Sequence, residues 1–137
     1  MSEIIETSTA HISLLEGNIV KTQFKQDIEA GIEDIKQNHE VAQKIAKGKK
    51  HFVLLDVRGF ATGSDKAKKF CASQDPMNYR IAVAALVDSL AVRIRCNSFI
   101  KNNKPEVPTR VFSKEQEAID WLKGFSEKEN NLFNYNK

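Results

Sequence analysis

The loop after the most apolar strand of the sequence carries side chains that could do chemistry. Open α/β sheets bind ligands beyond the carboxyl ends of their strands, so a polar loop at this place is a candidate partner or ligand loop. An Asp at a strand end also commonly ties down the loop that follows it, and both interpretations stay open. The candidate residues are Asp56, Arg58, Gly59, Thr62, Gly63 and Ser64.

The same loop has glycines and a hydroxyl group in front of a predicted helix, as phosphate-binding loops do. Backbone N–H groups at a helix start can hold a phosphate. The segment from Gly59 to Ser64 nevertheless lacks the GxxxxGK[ST] pattern, and Lys66 follows Ser64 instead of preceding it. The spacing therefore argues against a nucleotide site.

The cysteines and histidines predict neither a metal centre nor a catalytic thiol. Cys71 and Cys96 form no CxxC, and His11, His39 and His51 lie far from each other and from both thiols in sequence. Zinc-binding spacing is therefore missing, and no base is placed to activate a thiol. We expect free, reduced cysteines that pack in the fold, with no catalytic residue, no cofactor and no metal.

Composition describes one globular domain. The chain has 137 residues, of which 41% are hydrophobic, with 21 basic and 18 acidic side chains, and a chain of this size can build a core without disulfides or metals. Its longest apolar run, Ile81 to Val87, is far shorter than the roughly 20 residues of a membrane span. The first residues lack the order of a secretion signal, so we expect a cytoplasmic protein with no membrane span.

The charge distribution argues against nucleic acid as a partner. The net charge is +3 and the pI is about 8.8, below the values above 9 that are typical of nucleic-acid-binding domains. One basic set on two predicted helices could meet an acidic partner or anionic lipid heads, although a role in solubility is the favoured explanation. That set is Lys66, Lys68, Lys69, Arg93 and Arg95.

Hydrophobic periodicity predicts an α/β domain. A β-hairpin is followed by helices and strands in alternation, which indicates mostly parallel strands joined by right-handed crossovers. We assign residues 1–8 to a flexible N-terminus, 9–125 to the domain and 126–137 to a polar tail. His39 falls on the apolar stripe of the first helix, where a hydrogen-bonded boundary residue is expected. The predicted strands are Thr9–Leu15, Ile19–Phe24, His51–Val57, Arg80–Val87 and Thr109–Phe112, and the predicted helices are Gln26–Lys47, Asp65–Ala72, Leu90–Ile100 and one that begins after Ser113.

Four segments in the second half of the chain resemble the SpoIIAA-like group of STAS-type domains, also described as STAS/lipid-transfer-like. They are Ile81–Ser89, Asn97–Ile100, Val107–Phe112 and Glu117–Leu122. The resemblance covers residues 9–125 and implies a mixed, mostly parallel sheet of four or five strands with helices mainly on one face. It places the chain in a largely uncharacterised group and implies no catalytic residues.

The resemblance also draws attention to Ser64. The related anti-sigma-factor antagonists are switched by phosphorylation of a serine at the start of the helix that follows the central strand, where free N–H groups and the helix dipole face the phosphate. Ser64 holds that position and Thr62 is nearby, but the acidic-Ser-Gly triplet of the antagonists is missing. Ser64 is therefore a candidate phosphoacceptor and, on simpler grounds, a helix N-cap.

Two functions from different classes follow as expectations. The first is a non-enzymatic protein-interaction or regulatory module, with the loop from Arg58 to Asp65 and the next helix start as its contact surface for an unknown protein partner. Small sheets of this kind also pair across a two-fold axis, which makes a homodimer a further expectation. The alternative is a carrier or sensor of a small apolar or lipid-like ligand, in a shallow groove because 137 residues leave little room for a large lipid cavity.

Overall fold

The chain folds as alternating strands and helices. The computed structural model describes residues 3–59, 62–73, 76 and 79–135, and of residues 62 and 126–135 it describes the backbone. The strands are β1 (Ile4–Glu6), β2 (Ala10–Leu15), β3 (Ile19–Phe24), β4 (Glu29–Ala30), β5 (His51–Asp56), β6 (Thr62–Gly63), β7 (Arg80–Leu86) and β8 (Thr109–Phe112). The helices are α1 (Ile32–Ile45), α2 (Asp65–Ala72), α3 (Leu90–Asn103) and α4 (Glu115–Tyr135).

Six of the described strands form one mixed sheet, in the order β1-β2-β3-β5-β7-β8. The first three strands are antiparallel, and β3, β5, β7 and β8 are parallel. The predicted hairpin joins β2 to β3, and its turn residues Gly17 and Asn18 have φ values of 90° and 62°, which glycine and asparagine tolerate. The α/β class is confirmed. The sheet has six strands, whereas four or five were expected.

The two faces of this sheet carry different helices. In β7, Ala84 and Leu86 pack in one buried cluster with Leu122 of α4. Ala85, between them in sequence, belongs to a second cluster that includes residues of α1, α2 and α3. Alternate side chains of a strand point to opposite faces, so three of the described helices cover one face and α4 covers the other. The expectation of helices mainly on one face is confirmed.

The first helix begins later than its apolar stripe predicts. The stripe indicates a start near Gln26, but Asp27 has a φ of 56° and its N–H donates to the Gly59 carbonyl, which is incompatible with a helix there. Strand β4 then pairs with β6 in a separate two-stranded sheet. The helix starts at Ile32. At this start, the Gly31 N–H donates a hydrogen bond of 2.9 Å to the Asp34 carboxylate.

Both ends of the chain also differ from the prediction. The assignment of residues 1–8 to a flexible terminus is wrong at Ile4–Glu6, because β1 pairs antiparallel with β2; three residues are too few to show a period-two pattern. At the other end, α4 continues to Tyr135, since residues 126–135 contain no Gly or Pro to stop a helix. Among the helices described, none has the length and apolarity that crossing a membrane requires.

Candidate functional site

The Asp56 carboxylate at the end of β5 is bound by its own loop. It is 1% exposed and accepts hydrogen bonds from the Arg58 backbone N–H at 3.1 Å, Nε at 3.0 Å and Nη2 at 2.7 Å. The hydrogen bond to Asp56 is the main reason that the pKa of Arg58 is raised. Glu115 of α4 lies 3.5 Å from Arg58 Nη2 and 3.0 Å from Lys21 Nζ. This geometry favours the interpretation that Asp56 ties down its loop.

Ser64 is the N-cap of α2, as predicted, with its Oγ accepting from the Ala67 N–H at 3.1 Å. Earlier in the loop, Gly59 has a φ of 77° and a Cβ there would lie 3.1 Å from the Gln26 side chain, so the position suits glycine. Residues 60 and 61 and the side chain of Thr62 lie outside the described part of the chain. Phosphorylation of Ser64 or Thr62 stays a prediction.

An apolar cavity of about 190 Å³ lies between the sheet and helices α1, α2 and α3. The cavity is partly open to solvent, so it is a groove beneath α3 and not an enclosed void. Strands β5 and β7 form the floor, and α3 forms part of the opposite wall. Its apolar lining includes Val53, Leu55, Val83 and Ala85 from the floor and Val92 and Ile100 from α3.

Helix α3 spans the cavity without being buried itself. None of its residues is fully buried, and Cys96 and Ile100 on its inner side are only half-buried. On its outer side Leu90 and Ile94 are 72% and 56% exposed. The helix contacts α2 and β8. Its inner side therefore covers the cavity instead of filling it.

Two polar side chains meet at the amino ends of the floor strands. His51 begins β5 and Arg80 begins β7, the two residues are opposite each other in register, and both line the cavity. His51 is fully buried, and its Nδ1 lies 3.0 Å from the Lys49 carbonyl oxygen. A carbonyl can only accept, so Nδ1 carries a hydrogen and the neutral ring presents Nε2 as an acceptor. No described residue hydrogen-bonds to that Nε2.

Charge around the cavity is positive. Burial lowers the pKa of Arg80, and Arg80 forms no ion pair with any carboxylate that the structure describes. Lys68 of α2 and Arg95 of α3 are the other charged lining residues, and the described lining includes no Asp or Glu. Burial also lowers the pKa of His51 below the ordinary 6.5, which keeps its ring neutral at pH 7.

The remaining candidate side chains fit structural roles. Cys71 and Cys96 line the cavity, and burial raises the pKa of each thiol, which disfavours the nucleophilic thiolate. His39 is buried, its ring meets Tyr79 edge-on at 5.9 Å, and its Nε2 lies 2.9 Å from the Gln43 amide, as expected of a boundary residue. In the described part of the chain, no group of three or more His, Cys, Asp or Glu could hold a metal ion.

The cavity connects regions that the sequence analysis treated separately. Gly63 of the candidate loop lines it beyond the carboxyl ends of the strands, and His51 and Arg80 line its amino end. Sequence reasoning missed Arg80 and considered His51 only as a base for a thiol. The available signal was a polar residue at the start of two adjacent buried strands. Of the predicted basic set, Lys68 and Arg95 line the cavity and Lys66, Lys69 and Arg93 do not.

The fold is similar to that of a solved structure from another family. That structure is the crystal structure of an uncharacterized protein of the DUF3478 family with a SpoIIAA-like fold, from Shewanella loihica PV-4. The TM-score is 0.56 at 14% sequence identity, and the match covers 89% of this chain and 92% of that chain. The SpoIIAA-like architecture that the sequence predicted is thus confirmed. No curated protein matches the chain in sequence.

A family model matches the chain over residues 13–126. The match runs from β2 into α4 and contains every residue that lines the cavity. That model is described as Domain of unknown function (DUF7793). The chain therefore belongs to the DUF7793 family and has a SpoIIAA-like fold.

Proposed function

We propose that this protein is a non-enzymatic carrier or sensor that binds a small apolar ligand between its sheet and helices α1 to α3. The observation that supports the proposal is the apolar cavity of about 190 Å³ inside the main hydrophobic cluster. An engineered apolar cavity of about 150 Å³ binds benzene. The volume suits a ligand of roughly eight to ten non-hydrogen atoms, which is far smaller than a phospholipid.

The chemistry of the cavity wall supports binding without catalysis. Both thiols have raised pKa values because they are buried, and a thiol in its protonated form is a poor nucleophile. The Asp56 carboxylate, the most deeply buried acid, is bound by Arg58 and lies on the other face of the sheet, near α4. The described lining of the apolar space thus offers neither an activated nucleophile nor a carboxylate base, which supports a binding function.

Toluene is a suitable probe of this proposal, and we expect it to bind the wild-type protein. Ala85 is 7% exposed and lines the cavity floor, so Ala85→Met would fill part of the space with a flexible apolar side chain. We expect at least about a tenfold loss of toluene affinity, which corresponds to ~1.4 kcal/mol. Titrations followed by NMR chemical shifts measure both affinities.

Ala91→Met is the matched control, because Ala91 is exposed on α3 and the same side chain is added outside the cavity. This variant should bind toluene as the wild type does. Absence of any toluene-dependent shift in the wild-type protein, up to the solubility of the probe, would contradict the proposal. Equal affinities for the wild type and Ala85→Met would also count against this cavity as the site.

A regulatory interaction module is the second candidate function. Its contact surface is the loop from Arg58 to Asp65 together with the start of α2, and its partner is a protein. One observation favours it: Gly63 of this loop and Ala67 of α2 both line the cavity. Occupancy of the cavity could thereby change the loop, which would let a partner distinguish the free protein from the occupied one.

Hydrogen exchange of the loop amides tests this coupling. We expect saturating toluene to slow exchange at Gly63 and Ser64, because ordering their packing against an occupied cavity reduces local opening. Amides of the β2–β3 turn, at Gly17 and Asn18, serve as the internal control and should not change. Toluene binding without any effect on the loop would leave the carrier function and remove the support for loop-mediated regulation.

A further inference from the structure

The polar end of the cavity suggests which chemical class of ligand fits it. This inference rests on the proposed binding function and concerns the chemical group at one end of the apolar ligand. The relevant groups are His51 and Arg80, which stand opposite each other at the starts of β5 and β7. Their side chains line the same cavity whose remaining floor is apolar. A ligand that fills the space therefore presents one end to these two side chains.

His51 has a hydrogen-bonding atom without a described partner near that end. Its ring is fully buried, Nδ1 is held by the Lys49 carbonyl oxygen at 3.0 Å, and Nε2 has no partner among the described residues. Leaving a buried polar atom without a partner costs free energy. Because Nε2 itself has almost no accessible surface, a ligand in the cavity reaches the half-buried Arg80 and not this atom.

Arg80 adds a positive charge that the described part of the protein does not neutralise. It is partly buried and forms no ion pair with a described carboxylate, and burial keeps the neighbouring Cys71 thiol protonated. The other charges on the cavity wall, on Lys68 and Arg95, are also positive. A buried guanidinium is stabilised best by an anion, and a carboxylate matches its planar pair of donors.

We propose that the cavity binds a small apolar monocarboxylic acid, whose hydrocarbon part fills the apolar space and whose carboxylate is bound by Arg80 at the polar end. The Arg80 guanidinium donates to the carboxyl oxygens. No bond other than a hydrogen bond forms, and no chemical change of the ligand follows.

Two ligands of equal size test the proposal. Hexanoate and hexanamide have the same number of non-hydrogen atoms and differ in charge, so isothermal titration calorimetry of both isolates the role of the carboxylate. We expect hexanoate to bind at least about tenfold more tightly, because hydrogen bonds between charged groups are stronger than those of neutral groups. Hexanamide that binds as tightly as hexanoate would overturn the proposal.

Substitution of Arg80 locates the effect. In Arg80→Met we expect the ratio of hexanoate to hexanamide affinity to fall to about one, whereas Arg80→Lys keeps the charge and should retain part of the preference. Arg110→Met is the control: Arg110 is exposed, its guanidinium lies 5.2 Å from the Phe112 ring centre, and Phe112 belongs to the cluster on the α4 side. It removes the same charge and should leave the ratio unchanged. An unchanged ratio in Arg80→Met would overturn the assignment.

Toluene binding separates this inference from the proposed function. If toluene binds and hexanoate has no advantage over hexanamide, the cavity is a ligand site and only the carboxylate assignment fails. If the wild-type protein binds neither toluene nor hexanoate, the proposed function fails together with the inference. Because these measurements use the wild-type chain, they remain decisive even where a variant folds poorly.

Discussion

Replacing Arg58 with methionine is expected to lower the free energy of unfolding by about 3 kcal/mol at pH 7. The variant keeps the Asp56 carboxylate, which is 1% exposed, but removes the Nε and Nη2 donors at 3.0 and 2.7 Å. A buried charge that loses its partner costs about 3–5 kcal/mol, and the backbone N–H of residue 58, at 3.1 Å, keeps the loss near the lower end. Urea denaturation followed by circular dichroism measures this loss of free energy of unfolding.

Two further variants make this result specific to the pair. Asp56→Leu combined with Arg58→Met should recover most of the loss, because replacing both partners of a buried pair with apolar side chains is often close to neutral. Lys21→Met removes the neighbouring bridge from Lys21 Nζ to Glu115, at 3.0 Å, and should cost less than about 1 kcal/mol. An Arg58→Met protein as stable as the wild type would show that the loop does not depend on this pair.

Truncation of Leu122 in α4 is the second large effect. Leu122 is fully buried, and α4 is the helix that covers its face of the sheet in the described part of the chain. Measured Leu→Ala substitutions at buried sites cost about 2.7–5.0 kcal/mol. We expect Leu122→Ala to lower the free energy of unfolding by about 3 kcal/mol, measured by the same urea denaturation.

Ile100→Ala on α3 provides the comparison from the other face. Ile100 is half-buried and already borders the cavity, so its truncation removes fewer packing contacts and should cost only about 1 kcal/mol. The two variants differ in how much free energy of unfolding they lose, and this difference measures how much more tightly α4 packs than α3. A loss at Ile100 as large as that at Leu122 would mean that α3 packs as tightly as α4.

Local patterns in the sequence were sufficient to predict most elements of this fold. The run His51 to Val57 and the Ser64 cap depend on neighbouring residues alone, and both are found where the sequence places them. The late start of α1 depends on a hydrogen bond from Asp27 to Gly59, which is distant in sequence. Periodicity reports which residues could face a core, and it contains no information on such pairing.

The candidate site was harder to predict because it is a gap between elements. The cavity lies between α3 and strands β5 and β7, and no pattern within Leu90–Asn103 states how closely this helix packs on those strands. The sequence did show that β5 and β7 are buried strands, and it showed a polar residue at the start of each. The pairing of His51 with Arg80 follows only once the register of the two strands is known.

The half-buried state of α3 has a consequence for kinetics. Detaching a helix that has no fully buried residue requires only part of the free energy that unfolds the whole domain. A molecule bound beneath it, in a cavity that is already partly open to solvent, can therefore leave while the sheet and α4 stay folded. Its residence time then depends on how firmly one helix is held, and substitutions at Leu122 can weaken the domain without shortening that time.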